Sequence, residues 1–435
     1  MEASRQKPLA AHPVKGGLNT SVPVVVIAPG FHGHAIARSL GRLGVSVYGV
    51  HADSRSPAAR SRYWRKNYFW DIEKAAPEDS VDWLLQLSKR IGSRPILIPT
   101  DDDSCVFVAD HVDALKEGFL FPDQPAGLAR SLSSKQSMYY LCKKYSMPTP
   151  ETVFPRNRDD VIEFLKDATF PVMLKGINTV TLLKRTGMRM VVVKDAQSLL
   201  RRYEEMETPD TPNLMLQEYI PGGSEMIWMF DGYFDAESSC LYGITAKKIR
   251  QYPPYSGVTS LGICVANDAV ERQTIDFMKA IGYQGILDLG YKYDSRTDEY
   301  KLLDVNPRVG TTFRLFVDTL GMDVVRALYL DLTGQPVVTG APREGRKWVV
   351  ENFDLISSPT YCRDDKLSLW KWMRTYKGVQ ETAWFARDDP APFFMMGWSS
   401  LLWTFKRLFA RFGKPRSLQS VPEETKQLVL SLIHI

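Results

Sequence analysis

The sequence is poor in cysteine, and the five it has (Cys105, Cys142, Cys240, Cys264 and Cys362) lie far apart with no CxxC pair. That spacing suits neither a zinc site nor a disulfide framework, and it points to a reducing cytoplasm. Long apolar runs are missing too: no stretch approaches the roughly 18 uninterrupted residues of a membrane-spanning helix. Charge of one sign is in short supply. With 55 Lys+Arg against 50 Asp+Glu the net charge is +5, mild for this length, and no nucleic-acid-binding signature accompanies it. Met1 to Thr20 has no apolar core segment and contains Gly and Pro, so a disordered leader is expected there and not a signal peptide. Internal repeats and long low-complexity tracts are also lacking.

What remains is the profile of a soluble globular protein, 44% hydrophobic and 24% charged. Its 435 residues are long for one core, so two or three packed domains are expected. Pro23-Val24-Val25-Val26-Ile27-Ala28 is an apolar β-branched run, a helical stretch begins near His34, and Val45 to Val50 is a second strand. This βαβ opening, with a further strand at Pro95 to Thr100, predicts an open α/β unit over residues 21–125. Leu132 to Tyr145 is helical in pattern, with Ser133 as its expected N-cap. Strands and helices then mix less regularly, which predicts α+β structure over 126–345. The Pro/Gly-containing stretch Gly334 to Gly345 closes that unit, and an extension over 346–435 is rich in Trp and Phe.

Gly285 to Asp294 and Tyr300 to Asn306 are strand-like segments flanking the turn-type cluster Ser295-Arg296-Thr297-Asp298. Side chains alternate across a sheet, so Asp304, Asn306 and Arg308 share a face, as do Asp288 and Gly290. A turn centred on Arg296 sets Asp288 opposite Asp304. Two carboxylates and an amide oxygen then converge, an arrangement that suits a hard cation such as Mg²⁺ bridging phosphates. Arg308 beside them suits charge building on a transferred phosphoryl group. Without a ligand the same hairpin is a solvated turn with ordinary surface acids.

Leu303-Asp304-Val305-Asn306-Pro307-Arg308 resembles the E-x-N-P-R signature of ATP-grasp enzymes, with Asp for Glu. Three further segments follow the family's order. Phe170-Pro171-Val172-Met173-Leu174-Lys175 is similar to its lysine-bearing strand, Ser134-Lys135-Gln136 to its earlier nucleotide-binding lysine, and Leu216-Gln217-Glu218-Tyr219-Ile220-Pro221-Gly222-Gly223 to its hinge. The resemblance implies a Rossmann-like domain before a two-lobed ATP-grasp domain, then a C-terminal helical extension. It implies Mg²⁺ (or Mn²⁺) on Asp288, Asp304 and Asn306, and ATP phosphates on Lys135 and Lys175. The nucleotide base and ribose fall to Gln217, Glu218, Tyr219, Ile220 and Glu225, and the transferred phosphoryl group to Arg308. The branch it looks most like is that of carboxylate–amine ligases, similar to D-aspartate ligase-type enzymes and to the carbamoyl-phosphate synthase large chain. Small-molecule carboxylate and amine substrates are then implied; their identity and the oligomeric state stay open.

Three departures stand beside the resemblance. Gly290 occupies a position where the family usually has an acid, so Asp288 is expected to substitute. Gly176 to Arg189, where a glycine-rich phosphate-covering loop is usual, has only Gly176 and Gly187; Lys184 and Arg185 are either phosphate donors or a solvated hairpin tip. The shorter Asp304 replaces Glu.

Other motifs have two accounts each. Lys248 and Arg250 alternate on one strand face before a Pro/Gly loop, which suits catalytic contact with an anionic group or an exposed edge strand guarded by cations. Thr100-Asp101-Asp102-Asp103 either caps the next helix or binds a substrate amine. Gly30-Phe31-His32-Gly33 lacks the full G-x-G-x-x-G, and His51 stands where a dinucleotide site wants an acid, so NAD is not expected. His32 and His34 at the first turn either touch the substrate or are plain loop histidines, and the loop reading is the expected one. Near 393–414, Trp398, Leu401, Leu402, Phe405, Leu408, Phe409 and Phe412 recur at helical spacing, with Lys406, Arg407, Arg411 and Lys414 off that stripe. Such a helix lies in the interface of an anionic membrane, at its inner face, or docks on its own protein. Two rival functions follow: a nucleotide-binding regulator without chemistry, for which Gly290 speaks, and a peripheral membrane scaffold.

Overall fold

The computed structural model describes residues 17–27, 30–208, 210–364 and 368–412, with side chains through Leu402. The first unit runs β1 (Val24–Ile27), α1 (Phe31–Gly41), β2 (Val47–His51), β3 (Trp64–Phe69), α2 (Pro77–Ile91), β4 (Ile96–Pro99), α3 (Asp102–Asp110) and α4 (Val112–Leu115). Its four strands are parallel in the order β3-β2-β1-β4. Val24 to Ile27 and Ile96 to Ile98 are all buried, as strands covered on both faces must be. The order sets the carboxyl ends of β1 and β4 side by side, where α1 and α3 begin. Asp101 caps α3, accepting from the Ser104 amide at 2.7 Å. His32 and His34 are not loop residues: both lie buried in the first turn of α1.

The helix expected over Leu132 to Tyr145 is two helices, α5 (Leu128–Ser133) and α6 (Lys135–Lys144). Ser134 between them is extended, and it, not Ser133, is the cap, accepting from the Ser137 amide at 3.4 Å.

The first lobe comprises β5 (Thr152–Val153), α7 (Arg158–Leu165), β6 (Val172–Gly176), α8 (Thr179–Thr186), β7 (Met190–Val193), α9 (Ala196–Met206) and β8 (Leu214–Glu218), with an antiparallel sheet in the order β5-β8-β6-β7. The segment after Lys175 is a helix and not a hairpin tip. Asn178 starts α8 by accepting from the Thr181 amide at 2.9 Å, and Gly187 at φ +73° ends it. Lys184 and Arg185 are exposed on its last turn.

The second lobe runs β9 (Ile227–Phe234), β10 (Cys240–Tyr252), β11 (Val258–Cys264), α10 (Asp268–Ala280), β12 (Gly285–Asp294), β13 (Glu299–Asn306) and α11 (Val324–Leu332). The residues after 345 add β14 (Lys347–Val349), α12 (Glu351–Asp364), α13 (Leu369–Thr375), β15 (Val379–Thr382) and α14 (Ala391–Phe412). They do not form a helical appendage alone, because β14 and β15 complete a seven-stranded sheet, β13-β12-β9-β10-β11-β14-β15. One apolar core holds Phe31 and Ile36 from the first unit, Val309 and Phe313 from the second lobe, and Trp348, Phe353 and Trp384 from the tail. The buried pair Arg38–Asp389, at 2.8 Å, ties α1 to the approach of α14.

α14 covers the stretch expected to be an amphipathic helix. The side chains of Phe405, Lys406, Arg407, Leu408, Phe409, Arg411 and Phe412 lie outside the described residues, as do Lys414 and the leader through Gly16.

Candidate active site

The hairpin of β12 and β13 turns at Ser295 to Asp298, where Asp298 sits at φ +56°. Its register differs from the expected one. Asp294 faces Glu299, but an irregularity between Gly290 and Tyr291 shifts the pairing, so Asp288 faces Asn306 and Gly290 faces Asp304. One extra residue in a ladder displaces every pair beyond it. Asp288 and Asp304 are therefore diagonal neighbours. Asn306 Nδ2 donates to Asp288 Oδ2 at 3.2 Å, and Arg308 Nη2 donates to Asn306 Oδ1 at 3.1 Å. Arg308 Nε also donates to Asp102 Oδ1 at 2.7 Å, reaching the start of α3. Burial works against the Arg308 charge, but Asp102, Asp288 and Asp304 outweigh it.

Asp304 is exposed and makes no hydrogen bond among the described residues, yet four cations feel its charge: Lys135, Lys175, Lys248 and Arg308. They come from α6, β6, β10 and the turn after β13. Lys135 Nζ donates to Thr179 Oγ1 at 2.6 Å, at the head of α8. Lys175 Nζ donates to Gln217 Oε1 at 3.2 Å, and Gln217 Nε2 is held by Thr152 Oγ1 at 3.0 Å. Burial pushes the Lys175 ammonium down to about 8, with Lys135 adding to the shift and Asp304 opposing it. A cavity between the lobes is lined by Lys135, Tyr139, Thr152, Met215, Gln217 and Leu303.

Lys248 and Arg250 do not share a face. β10 and β11 slip register on either side of Arg250. Lys248 looks toward Asp288 and Asp304, whereas Arg250 turns to the other side of the sheet and forms a forked pair with Asp354 at 2.7 and 2.8 Å. Arg250 is 2% exposed and also donates to Thr375 Oγ1 at 2.9 Å. Its place is structural, and the expectation of a catalytic Arg250 is corrected.

The hinge departs in one respect. The Glu218 carboxylate does not point at a base site: Lys301 Nζ binds it at 2.9 and 3.0 Å, and Arg296 reaches it from the turn. Ile220 is buried, and the Tyr219 ring lies 5.6 Å from the Lys292 ammonium. Glu225 is exposed and accepts from the Gly223 amide at 2.9 Å.

Asp231 was not singled out by its sequence. It stands on β9 opposite Asp288, fully buried, and neither carboxylate oxygen has a partner. A Cβ on Gly310 would come 2.7 Å from Asp288 Cγ and 3.0 Å from Asp231 Oδ2, so both carboxyls crowd beneath that residue. Burial holds Asp231 well above the carboxylate range, and Asp288 adds to it. The available signal was a lone acid inside the apolar run Ile227 to Phe234. His32, expected in a loop, is another neighbour of Arg308. Its Nε2 lies 2.7 Å from the Thr100 carbonyl, which can only accept, so Nε2 carries the proton and the buried Nδ1 has no partner. Burial, then Arg308, lowers His32 to about 4, which keeps it neutral. His34 serves packing: it binds the Ala383 carbonyl at 2.9 Å and stacks on Trp384.

Among the described residues no three His, Cys, Asp or Glu side chains are set to hold a metal ion by themselves. The donors do fit Mg²⁺, which binds through one or two carboxylates and takes further ligands from phosphate and water. Asp288, Asp304 and the Asn306 amide supply such oxygens, and the Asp231 carboxyl opposite Asp288 has two buried oxygens without a partner.

A parallel α/β unit followed by two mainly antiparallel lobes, with this carboxylate hairpin facing two lysines across the cleft, has the architecture of the ATP-grasp fold. No family model matches the chain. It is 25% identical over 262 residues to D-aspartate ligase of Enterococcus faecium (strain Aus0004), which covers 57% of this chain and 61% of that relative. It is 23% identical over 206 residues to the C-terminal section of the carbamoyl phosphate synthase large chain of Methanopyrus kandleri, covering 45% of this chain and 36% of that one. The chain thus spans less than two thirds of either curated relative. N5-carboxyaminoimidazole synthetase from Staphylococcus aureus superposes with a TM-score of 0.60 at 11% identity, over 80% of this chain and 88% of that one. The fold is ATP-grasp, and the sequence similarity runs to its carboxylate–amine ligase branch.

Proposed function

We propose that the protein is an ATP-dependent ligase that joins a carboxylate to an amine through an acyl phosphate, with Mg·ATP held between its two lobes. The observation that carries this reading is the convergence of Lys135, Lys175, Lys248 and Arg308 on exposed Asp304, beside Asp288 and Asn306. Cations drawn from both lobes onto one exposed carboxylate suit a polyphosphate and its metal.

A carboxylate is a poor electrophile until one of its oxygens becomes a leaving group. Its oxygen attacks the terminal phosphorus of ATP, and the bond from that phosphorus to ADP breaks. The amine nitrogen then bonds to the acyl carbon, phosphate departs with the carbon–oxygen bond, and the nitrogen loses a proton. Lys135 and Lys175 would hold the phosphates from the first lobe, and Lys248 from the second. Arg308, oriented by Asp102 and Asn306, would steady the phosphoryl group in flight. Asp288, Asp304 and Asn306 would hold Mg²⁺, which would neutralise phosphate charge when bound. Gln217 fixes Lys175, the backbone from Glu218 to Ile220 would edge the base, and Glu225 the ribose. Exclusion of water between the lobes would protect the acyl phosphate from hydrolysis.

Phosphate release from ATP across a matrix of amino acids and carboxylates is the direct test. Release is expected only when a matching carboxylate and amine are both present. Nucleotide binding with no release for any pair would favour the regulatory reading, to which Gly290 opposite Asp304 lends its weight.

The lowered Lys175 gives a pH signature. Its folded value of about 8 lies below the 10.5 of an ordinary lysine. Between those two values the unfolded chain binds more protons, so the nucleotide-free protein gains stability as pH rises through that window. Phosphate binding needs the charged form, so Mg·ATP affinity should be flat below pH 8 and fall above it, by at most about tenfold per unit. Calorimetric titrations between pH 7 and 9.5 check this, and Lys175→Met should remove the slope.

A further inference from the structure

Large apolar side chains of three elements near the C-terminus stay in solvent. Trp370 is 80% and Met373 53% exposed on α13, Leu355 is 65% exposed on α12, and Phe394, Trp398 and Leu402 on α14 are 66%, 59% and 44% exposed. The start of α12 is joined to the approach of α14. The Glu351 carboxylate, at the start of α12, accepts from the Trp384 and Phe385 amides at 3.0 and 2.8 Å, one turn before Leu355. Phe385 meets Phe393 edge-on at 5.6 Å, Phe393 meets Phe394 at 5.7 Å, and Trp398 follows one turn later. α13 packs on α12.

Every charge on α13 and in the turn after it is positive. Lys371, Arg374 and Lys377 are exposed and form no ion pair among the described residues. The carboxylates between them and α14 are already matched: Glu381 with Arg314 and Arg346, Asp388 with Arg42, and Asp389 with Arg38. Asp354 is held by Arg250 and Asp364 by Arg363. From Ala391 through Leu418 the sequence has no acid at all, against Lys406, Arg407, Arg411, Lys414 and Arg416.

Exposed tryptophans beside cations that pair with no described carboxylate are what an anionic bilayer surface selects: the rings enter the headgroup layer and the cations meet lipid phosphate. An apolar patch of this extent on a water-soluble fold marks a surface that something covers. We propose that the α12–α13–α14 face docks the protein peripherally on an anionic lipid surface. No described helix is long and apolar enough to cross a membrane, which is consistent with attachment to one leaflet.

Flotation of the full chain with vesicles tests this. The protein should float with phosphatidylcholine vesicles carrying about 30% phosphatidylglycerol, about tenfold more than with phosphatidylcholine alone, and added salt should release it. The double variant Trp370→Glu, Trp398→Glu alters only exposed positions and should keep the wild-type melting temperature. It should lose about tenfold or more of the vesicle-bound fraction. Absence of flotation on the anionic vesicles, or equal flotation of the double variant, overturns the proposal. So does self-association of the chain that the double variant abolishes while neither form floats, because the face then belongs to a second copy.

Discussion

Arg308→Ala is expected to lower Mg·ATP turnover about 10²–10³-fold, the cost of losing one preorganised donor to a charge that develops in the transition state. The side chain is well placed for that role. It reaches Asn306 Oδ1 at 3.1 Å and Asp102 Oδ1 at 2.7 Å, so its guanidinium is fixed between the hairpin and the first unit before any ligand arrives. Truncation should leave melting nearly unchanged, since Arg308 stands at the rim of the core rather than inside it. Affinity for Mg·ATP should change less than turnover, because the three lysines stay in place. Arg308→Lys should recover little, as a point charge cannot keep both partners in the same plane. Single-turnover measurement of phosphate release separates these quantities. Unchanged turnover in both variants would remove Arg308 from the chemistry.

Arg250→Ala should cost stability instead, by about 3–5 kcal/mol, because it strands a buried carboxylate. Arg250 and Asp354 have side-chain exposures of 3% and 1%, and Asp354 also accepts from Ser260 Oγ at 2.9 Å. The pairing Arg250→Met with Asp354→Leu should regain much of the loss, since neither charge is then left alone. Urea midpoints report the stability change, and turnover per folded molecule should stay near wild type. A large loss of turnover at unchanged stability would return Arg250 to the chemistry.

The contrast between these two arginines shows how far the sequence reached. Arg308 lies two residues from Asn306 and four from Asp304, so the alternation rule put all three on one face; β13 ends at Asn306, and the turn after it still brings Arg308 Nη2 to Asn306 Oδ1. Arg250 lies two residues from Lys248 by the same rule, yet the ladder slips at Arg250 and sends it to the opposite side. Asp288 met the same difficulty on a smaller scale: the turn's true centre and the one slip each moved its partner by a residue, from Asp304 to Asn306. Irregularities of this kind leave no periodic trace, because they are set by the fit of a strand to its neighbours. Glu218 shows another limit. Its hinge position was legible, but Lys301 and Arg296, which hold its carboxylate, lie about 80 residues on, and only the folded hairpin brings them to it.

The sequence by itself determined the order of units, the strands and most helices, and the Asp304–Arg308 strand with the lysines Lys135 and Lys175. Those features rest on local periodicity, on capping residues and on short motifs, which need no distant partner. Tertiary structure alone decided that β14 and β15 finish the large sheet, that Asp231 lies unpartnered against Asp288, and that Arg250 serves packing. Each of those outcomes depends on which strands become neighbours and in what register, and on how much water is left between them. Burial then fixed the chemistry, turning ordinary side chains into a neutral His32, a lysine near 8 at Lys175 and a carboxyl at Asp231 that resists ionisation.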